Sequence, residues 1–579
     1  MPTSASPTAV SATAFSPKAA STTAVSTTAA STTGLSSAAP VVVRTSAGAV
    51  RGTRLGGVAE FLGVPYAQPP VGPLRFASPR PPQPWTAVRD ATSRGTQFCQ
   101  PGVPGSAEDA LSANVWTPDE GGSLPVLVYV HGGAWQVGAG SLANYDGALL
   151  AAEGGLVVVT FNYRLGPFGF GFHEELADVD TGLHANWGLQ DQMALLHWVR
   201  DNAPAFGGDP GNITLVGTSA GGASAHQLAL LPQTKVLVRR VVEISAAHVR
   251  APQLSMTAPH ARASAERLAD RLGTTVPGLR HAPASVLLAA WNELGQNRPA
   301  HSGREFRGPV LDGTTMPGYD HDSPPPDMPV MSVHTRNEGT FFTVPGMSVL
   351  TPPPPPATFL RLRGVVRDIL RALADDVSEY DVQDCLQVYR DAAALGAFAH
   401  DPATVWSEVY GDALLRHRVV RLAERHVRIG RSPLYAMEFT HPTRVPGVGA
   451  PHEATSKFLF GTHATPANID MFGDGPLERR VGTTLRQLVA SFATTGHPSC
   501  ADGPAWPALD EHGHGSLVLG GPDLAVVGRV ERSERLRFWD RPGLAPWPTP
   551  HHARPRAAMT PAERVPAGAP PPLTDRRNR

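Results

Sequence analysis

The residues best suited to chemistry lie in Gly217-Thr218-Ser219-Ala220-Gly221, where the apolar run ITLVG meets a helical segment. A serine hydroxyl is a weak nucleophile until a base takes its proton, so it needs exposure and a neighbour to activate it. A strand–serine–helix junction supplies the exposure. It holds the serine in a strained turn, and the flanking glycines let adjacent backbone approach closely. The helix start behind the serine offers free N–H groups and a positive dipole end. Gly-x-Ser-x-Gly alone arises by chance in a glycine-rich chain; the strand before it and the helix after it give it weight.

A second motif precedes it. The run LPVLVYV ends in His131-Gly132-Gly133-Ala134-Trp135. A turn of small residues at a strand end can aim successive backbone N–H groups at one point. Acyl transfer requires such donors where a carbonyl oxygen becomes an oxyanion.

The elements that must position these groups follow from the apolar pattern. Strands are expected at residues 124–130, 156–162, 213–217, 241–245, 328–333 and 434–439, each short, mostly continuous in apolar residues and often rich in valine. Such runs suit strands covered on both faces. Helices are expected at 188–201, with Leu189, Met193, Leu196 and Val199 at helical spacing, and at 220–231, ended by Pro232. Strands alternating with helices predict an α/β fold with a mostly parallel central sheet flanked by helices.

Composition bounds the rest. The chain has 579 residues with a formal charge of -1, so it presents no basic footprint for nucleic acid or an anionic membrane. No apolar run is long enough to span a bilayer, and no secretory signal is visible. The three cysteines, Cys99, Cys385 and Cys500, are too few and too dispersed for a zinc site or a disulfide framework. A cytoplasmic protein with reduced thiols is expected. Residues 1–40 form a degenerate five-residue Ala/Ser/Thr repeat, and residues 546–579 are rich in Pro and Arg. Neither can bury enough apolar area to offset chain entropy, so both are expected to be disordered, leaving 41–545 as the folded domain.

Several stretches carry a family resemblance: FLGVPYAQPPVGPLRF from Phe61, FNYRLGPFGF from Phe161, NWGLQDQMALLHWVRDNAPAFGGDPGNITLVGTSAGGAS from Asn186, NEGTFF from Asn337 and GAPHEATSKFLFG from Gly449. The chain resembles the type-B carboxylesterases, the family that includes the cholinesterases and bacterial para-nitrobenzyl esterases. The resemblance implies an α/β-hydrolase fold with a lid insertion between Glu338 and His452. It implies Ser219 as nucleophile, Glu338 as acid and His452 as base, with the amides of Gly133, Ala134 and Ala220 as oxyanion donors. The order serine, acid, histidine is also what an α/β-hydrolase requires. Trp135, Trp187, Phe341 and Phe342 adjoin these motifs, and Trp135 and Phe341 are expected to line an apolar substrate pocket.

The chain departs from the family pattern in places. Thr218 stands where the family usually has glutamate. Ala110 stands where the family has the cysteine that pairs with one near Cys99. The loop QPGVPGSAED lacks an aromatic residue, so a cholinesterase-like ammonium cage is not expected. The implied activity is hydrolysis of small or medium apolar esters through an acyl-enzyme, with a small-molecule ester as partner and neither cofactor nor metal. Two alternatives stand beside it: a catalytically silent adhesion or scaffold protein, and a hydrolase of amides, carbamates or lactones. Nothing in the sequence sets an oligomeric state.

Overall fold

Runs such as LPVLVYV cannot leave either face in water, and in the folded chain they do not. In Leu124–Val130, Val126, Val128 and Val130 join one hydrophobic cluster while Leu127 and Tyr129 join another on the opposite face. The period of two thus divides one strand between two layers of core. The structure, a computed structural model, describes residues 38–541 and 544, apart from 120–121, 249–255, 297–306, 348–353, 375 and 531–533. Most of the repeat and the whole segment beyond residue 545 lie outside the described residues. The first strand, Ala39–Arg44, begins two residues before the expected boundary; Pro40, which has no N–H to give, is accommodated because this is an edge strand.

The centre of a 13-stranded sheet is parallel. Its order is Val157–Phe161, Leu124–Val130, Gly208–Thr218, Val238–Ile244, Val330–Thr335, Leu434–Phe439 and His514–Leu519. Antiparallel strands extend both sides: Ala39–Arg44, Ala49–Leu55, Val58–Pro65 and Ser112–Pro118 at one, Ala525–Arg529 at the other. The strand order reverses at Leu124–Val130, with later strands added first on one side and then on the other. In parallel α/β sheets such a switch point opens a crevice at the carboxyl ends of the strands. Val130 pairs with Gly217 there, so the HGGAW turn and Ser219 leave the sheet side by side. Val333 pairs with Ile244, which brings the turn carrying Glu338 next to Ser245.

Helices cover both faces. Trp187–Asn202 is fastened by a buried pair, Arg164 Nη2 to Asp191 Oδ1 at 2.7 Å, that also joins it to the loop after Val157–Phe161. Between Glu338 and His452 the chain forms the helices Phe359–Leu373, Glu379–Ala394, Pro402–Gly411 and His417–Ile429. This insertion has its own core, including Leu362, Ile369, Tyr389 and Trp406, closed by Phe538 and Trp539 from the segment after Ala525–Arg529. Among the described residues no helix is long and apolar enough to cross a membrane.

Candidate active site

Ser219 stands between Gly208–Thr218 and Ala220–Leu230 with φ 58° and ψ −123°, a conformation that costs a side-chain-bearing residue roughly 1–3 kcal/mol. Its own backbone holds it there: Ser219 N–H donates to Ile244 O at 2.8 Å, and Ala247 N–H donates to Ser219 O at 3.0 Å. The two motif glycines are required by contact. A Cβ on Gly217 would lie 2.2 Å from Gly221 O, and one on Gly221 would lie 2.1 Å from Val130 O. Any larger residue would push the helix start away from the sheet.

The HGGAW turn passes over the same point. Gly133 (φ 111°), Ala134 (φ 54°) and Trp135 (φ 57°) all adopt left-handed backbone, and a Cβ on Gly133 would lie 2.1 Å from Val137 O. The amides of Gly133, Ala134 and Ala220 donate no hydrogen bond among the described residues, which leaves three donors at this point of the sheet. His131 steadies the turn. Its Nδ1–H donates to Gly132 O at 2.8 Å, its ring stacks on Tyr163 at 4.3 Å, and burial pushes its pKa down to about 4. It is therefore a neutral brace at ordinary pH.

His452 and Glu338 meet directly. His452 Nδ1–H donates to Glu338 Oε2 at 2.6 Å, with both side chains only 1% exposed. Glu338 Oε1 accepts from Ser245 Oγ at 2.6 Å and from Thr335 N–H at 2.7 Å. Burial pushes the Glu338 carboxyl up, but the His452 charge and hydrogen bond, with Ser245 and Thr335, hold it below the ordinary carboxylate range. The other ring nitrogen, His452 Nε2, is buried and makes no hydrogen bond among the described residues. It makes no hydrogen bond to the Ser219 hydroxyl. Asn337 locks the two turns together: its N–H donates to Ala450 O at 2.9 Å, and its Oδ1 accepts from Ala450 N–H at 3.0 Å.

The aromatic residues divide. Phe341 and Phe342 flank the His452 ring, with centroids 5.5 and 5.1 Å away. Trp135 is placed otherwise: it is 0% exposed within the core, and its indole N–H donates to Ser224 Oγ at 3.0 Å, so it anchors the turn to the helix behind Ser219. Trp187 is likewise core. Thr218 lies in a neutral network, its Oγ1 3.0 Å from Tyr129 Oη and 2.9 Å from Ser456 Oγ.

Two neighbours were not foreseen from sequence. One is Ser245, whose hydroxyl bonds Glu338. The other is Glu453, with φ 72°, whose Oε1 lies 2.8 Å from the point a Cβ on Gly132 would occupy. Only their adjacency to a strand end and to His452 hints at them. Cys99 and Cys385 are free and buried, and Cys500 is free.

Comparison with known proteins agrees with this architecture. The model of the carboxylesterase family matches residues 39–539. The para-nitrobenzyl esterase of Bacillus subtilis (strain 168) is 31% identical over 524 residues, covering 87% of this chain and 99% of the relative. The phenmedipham hydrolase of Pseudarthrobacter oxydans is 32% identical over 535 residues, covering 86% and 98%. Among solved structures, a Geobacillus stearothermophilus carboxylesterase is similar with a TM-score of 0.73 at 30% identity, covering 86% of this chain and 99% of its own. These matches run along nearly the whole described chain. The chain belongs to the carboxylesterase family and is a carboxylic ester hydrolase of the α/β-hydrolase fold.

Proposed function

We propose that this esterase acts on small or medium apolar esters through a covalent acyl-enzyme on Ser219. The observation that carries the reading is the buried 2.6 Å bond from His452 to Glu338, with Nε2 of the same ring left unbonded. Nε2 removes the Ser219 proton as Oγ attacks the ester carbonyl carbon, and Glu338 stabilises the imidazolium that forms. The amides of Gly133, Ala134 and Ala220 receive the oxyanion. On collapse the imidazolium gives its proton to the departing alcohol. Water, deprotonated by the same nitrogen, then attacks the acyl-enzyme, and the acid product and free Ser219 are released. Phe341 and Phe342 form an apolar wall beside His452, which favours hydrocarbon over charged substituents.

The test is turnover of para-nitrophenyl esters of graded acyl length by wild type and Ser219→Ala. The variant is expected to fold and to lose kcat by roughly four to six orders of magnitude. Retention of more than about a tenth of wild-type turnover removes Ser219 as nucleophile. The same panel, extended to an anilide and to phenmedipham, ranks leaving groups; faster turnover of either than of every ester would assign the site to amides or carbamates.

A further inference from the structure

Behind the nucleophile helix lies a second convergence of side chains that ester hydrolysis does not use. His226 projects from Ala220–Leu230, about two turns beyond Ser219. Glu243 comes from Val238–Ile244, His248 from the loop after it, and Asp320 from the segment before Val330–Thr335. The four are 3%, 3%, 2% and 2% exposed. His226 Nδ1–H donates to Glu243 Oε1 at 2.7 Å, and His248 Nε2 faces Glu243 Oε2 at 3.6 Å. His248 Nδ1–H donates to Asp320 Oδ2 at 3.1 Å. The two imidazoles meet edge to face with centroids 5.1 Å apart.

An ion pair between His226 and Glu243 accounts for only part of this. Nε2 of both histidines is buried and makes no hydrogen bond among the described residues. Buried polar groups are ordinarily hydrogen-bonded, so two unbonded imidazole nitrogens in one cluster point to a ligand. One donor atom from each of His226, Glu243 and His248 lies within 4.8 Å of the others. A tetrahedral zinc ion with bonds near 2.0–2.2 Å holds its ligands roughly 3.3–3.5 Å apart, so modest side-chain rotation closes the set. Asp320 already does what an outer carboxylate does at such centres, fixing the Nδ1–H tautomer and turning the Nε2 lone pair inward. A cavity of about 10 Å³, room for about one water, lies beside the set, lined by His226, Glu243, Asp320 and His426 though not by His248. Arg425 also lines that cavity and opposes a cation, but its guanidinium donates to Ser323 O at 2.8 Å, and two carboxylates outweigh it.

We propose that His226, Glu243 and His248 bind one divalent transition cation of the zinc class, with Asp320 as a positioning residue for His248. Imidazole donors select such ions over calcium or magnesium. The site joins the nucleophile helix to the strand whose next residue, Ser245, bonds Glu338, so its effect is on the stability of the elbow.

Full-length protein, stripped with chelator, equilibrated with zinc sulfate and desalted, is assayed for zinc beside the His226→Gln/His248→Gln double variant. Wild type is expected to retain about one zinc per chain and to show a melting temperature that rises with zinc and saturates; the variant does neither. No retention by folded wild type, or equal retention by the folded variant, overturns the site. If the variant does not fold, X-ray absorption on zinc-loaded wild type decides: imidazole nitrogen with carboxylate oxygen is expected, and a thiolate or all-oxygen shell overturns it.

Discussion

Glu338 shows how burial and hydrogen bonding set one residue's behaviour. Its carboxylate accepts from His452, Ser245 and Thr335 and is held below the ordinary carboxylate range. Glu338→Gln is expected to fold but to lose kcat by about three to four orders of magnitude, because an amide no longer stabilises imidazolium. The same depressed pKa ties stability to pH. The contribution is present above the unfolded carboxyl value of about 4.3 and is lost as pH falls through the folded value. The gap in melting temperature between wild type and Glu338→Gln should therefore be open near neutrality and close in acid; a gap that widens in acid would contradict the ionised assignment. Gly132→Ala is the second substitution to measure. Its Cβ would lie 2.8 Å from Thr218 O and 3.0 Å from Ser219 Cβ, and a shift of about 1 Å there is expected to cost kcat/KM about a hundredfold. Unchanged kcat/KM would mean the turn yields without consequence. The strand–serine–helix junction points to Ser219 in the sequence, whereas Glu338 and His452 are singled out there only by the family resemblance; the fold joins these two by a 2.6 Å hydrogen bond. Ser245, Glu453 and the His226–Glu243–His248 set were not legible in sequence, because only the tertiary pairing of separate segments makes them neighbours.

The elements show the same division. The strands Leu124–Val130 and Leu434–Phe439 have the bounds their apolar runs predict. Val330–Thr335 starts two residues later than its run, after Pro329, which has no N–H for a ladder. Among the antiparallel strands at the sheet's sides, Ala49–Leu55 gives no strand signal in the sequence because it interleaves Arg51, Thr53 and Arg54 with its apolar residues. The helical insertion buttresses the acid turn through Glu408, which accepts from Asn337 Nδ2 at 3.1 Å and pairs with Arg535 Nη1 at 2.6 Å. Glu408→Ala leaves the 7%-exposed Arg535 with its carboxylate partner Asp412 at 3.7 Å and the Phe398 ring at 5.3 Å, and is expected to cost about 3 kcal/mol in denaturant unfolding. A loss under about 0.5 kcal/mol would show that the pair adds nothing to the fold. Gly364→Ala is the opposite case. A Cβ at this position in Phe359–Leu373 meets nothing within 4 Å, and gains of up to about 1 kcal/mol are expected from helix propensity.

At the scale of the whole chain, one sheet aligns segments more than two hundred residues apart: Ile244, whose carbonyl accepts from Ser219 N–H, pairs with Val333, and the turn after that strand is bonded to Ala450 just before His452. The alternation of apolar strands with helices made the α/β class and the parallel centre readable; the mixed edges and the insertion's separate core depend on long-range pairing that no local pattern encodes. Deleting residues 1–37, whose small and hydroxylated composition suits no core, is expected to leave melting temperature and kcat/KM unchanged, and a fall of more than a few degrees would contradict that. One activated serine is expected to carry the chemistry. The most direct measurement is reaction of the full chain with a fluorophosphonate, followed by intact mass and peptide mapping. One adduct per chain on Ser219, with esterase activity lost in proportion, is predicted. An adduct on another residue, or full labelling with activity retained, would contradict it.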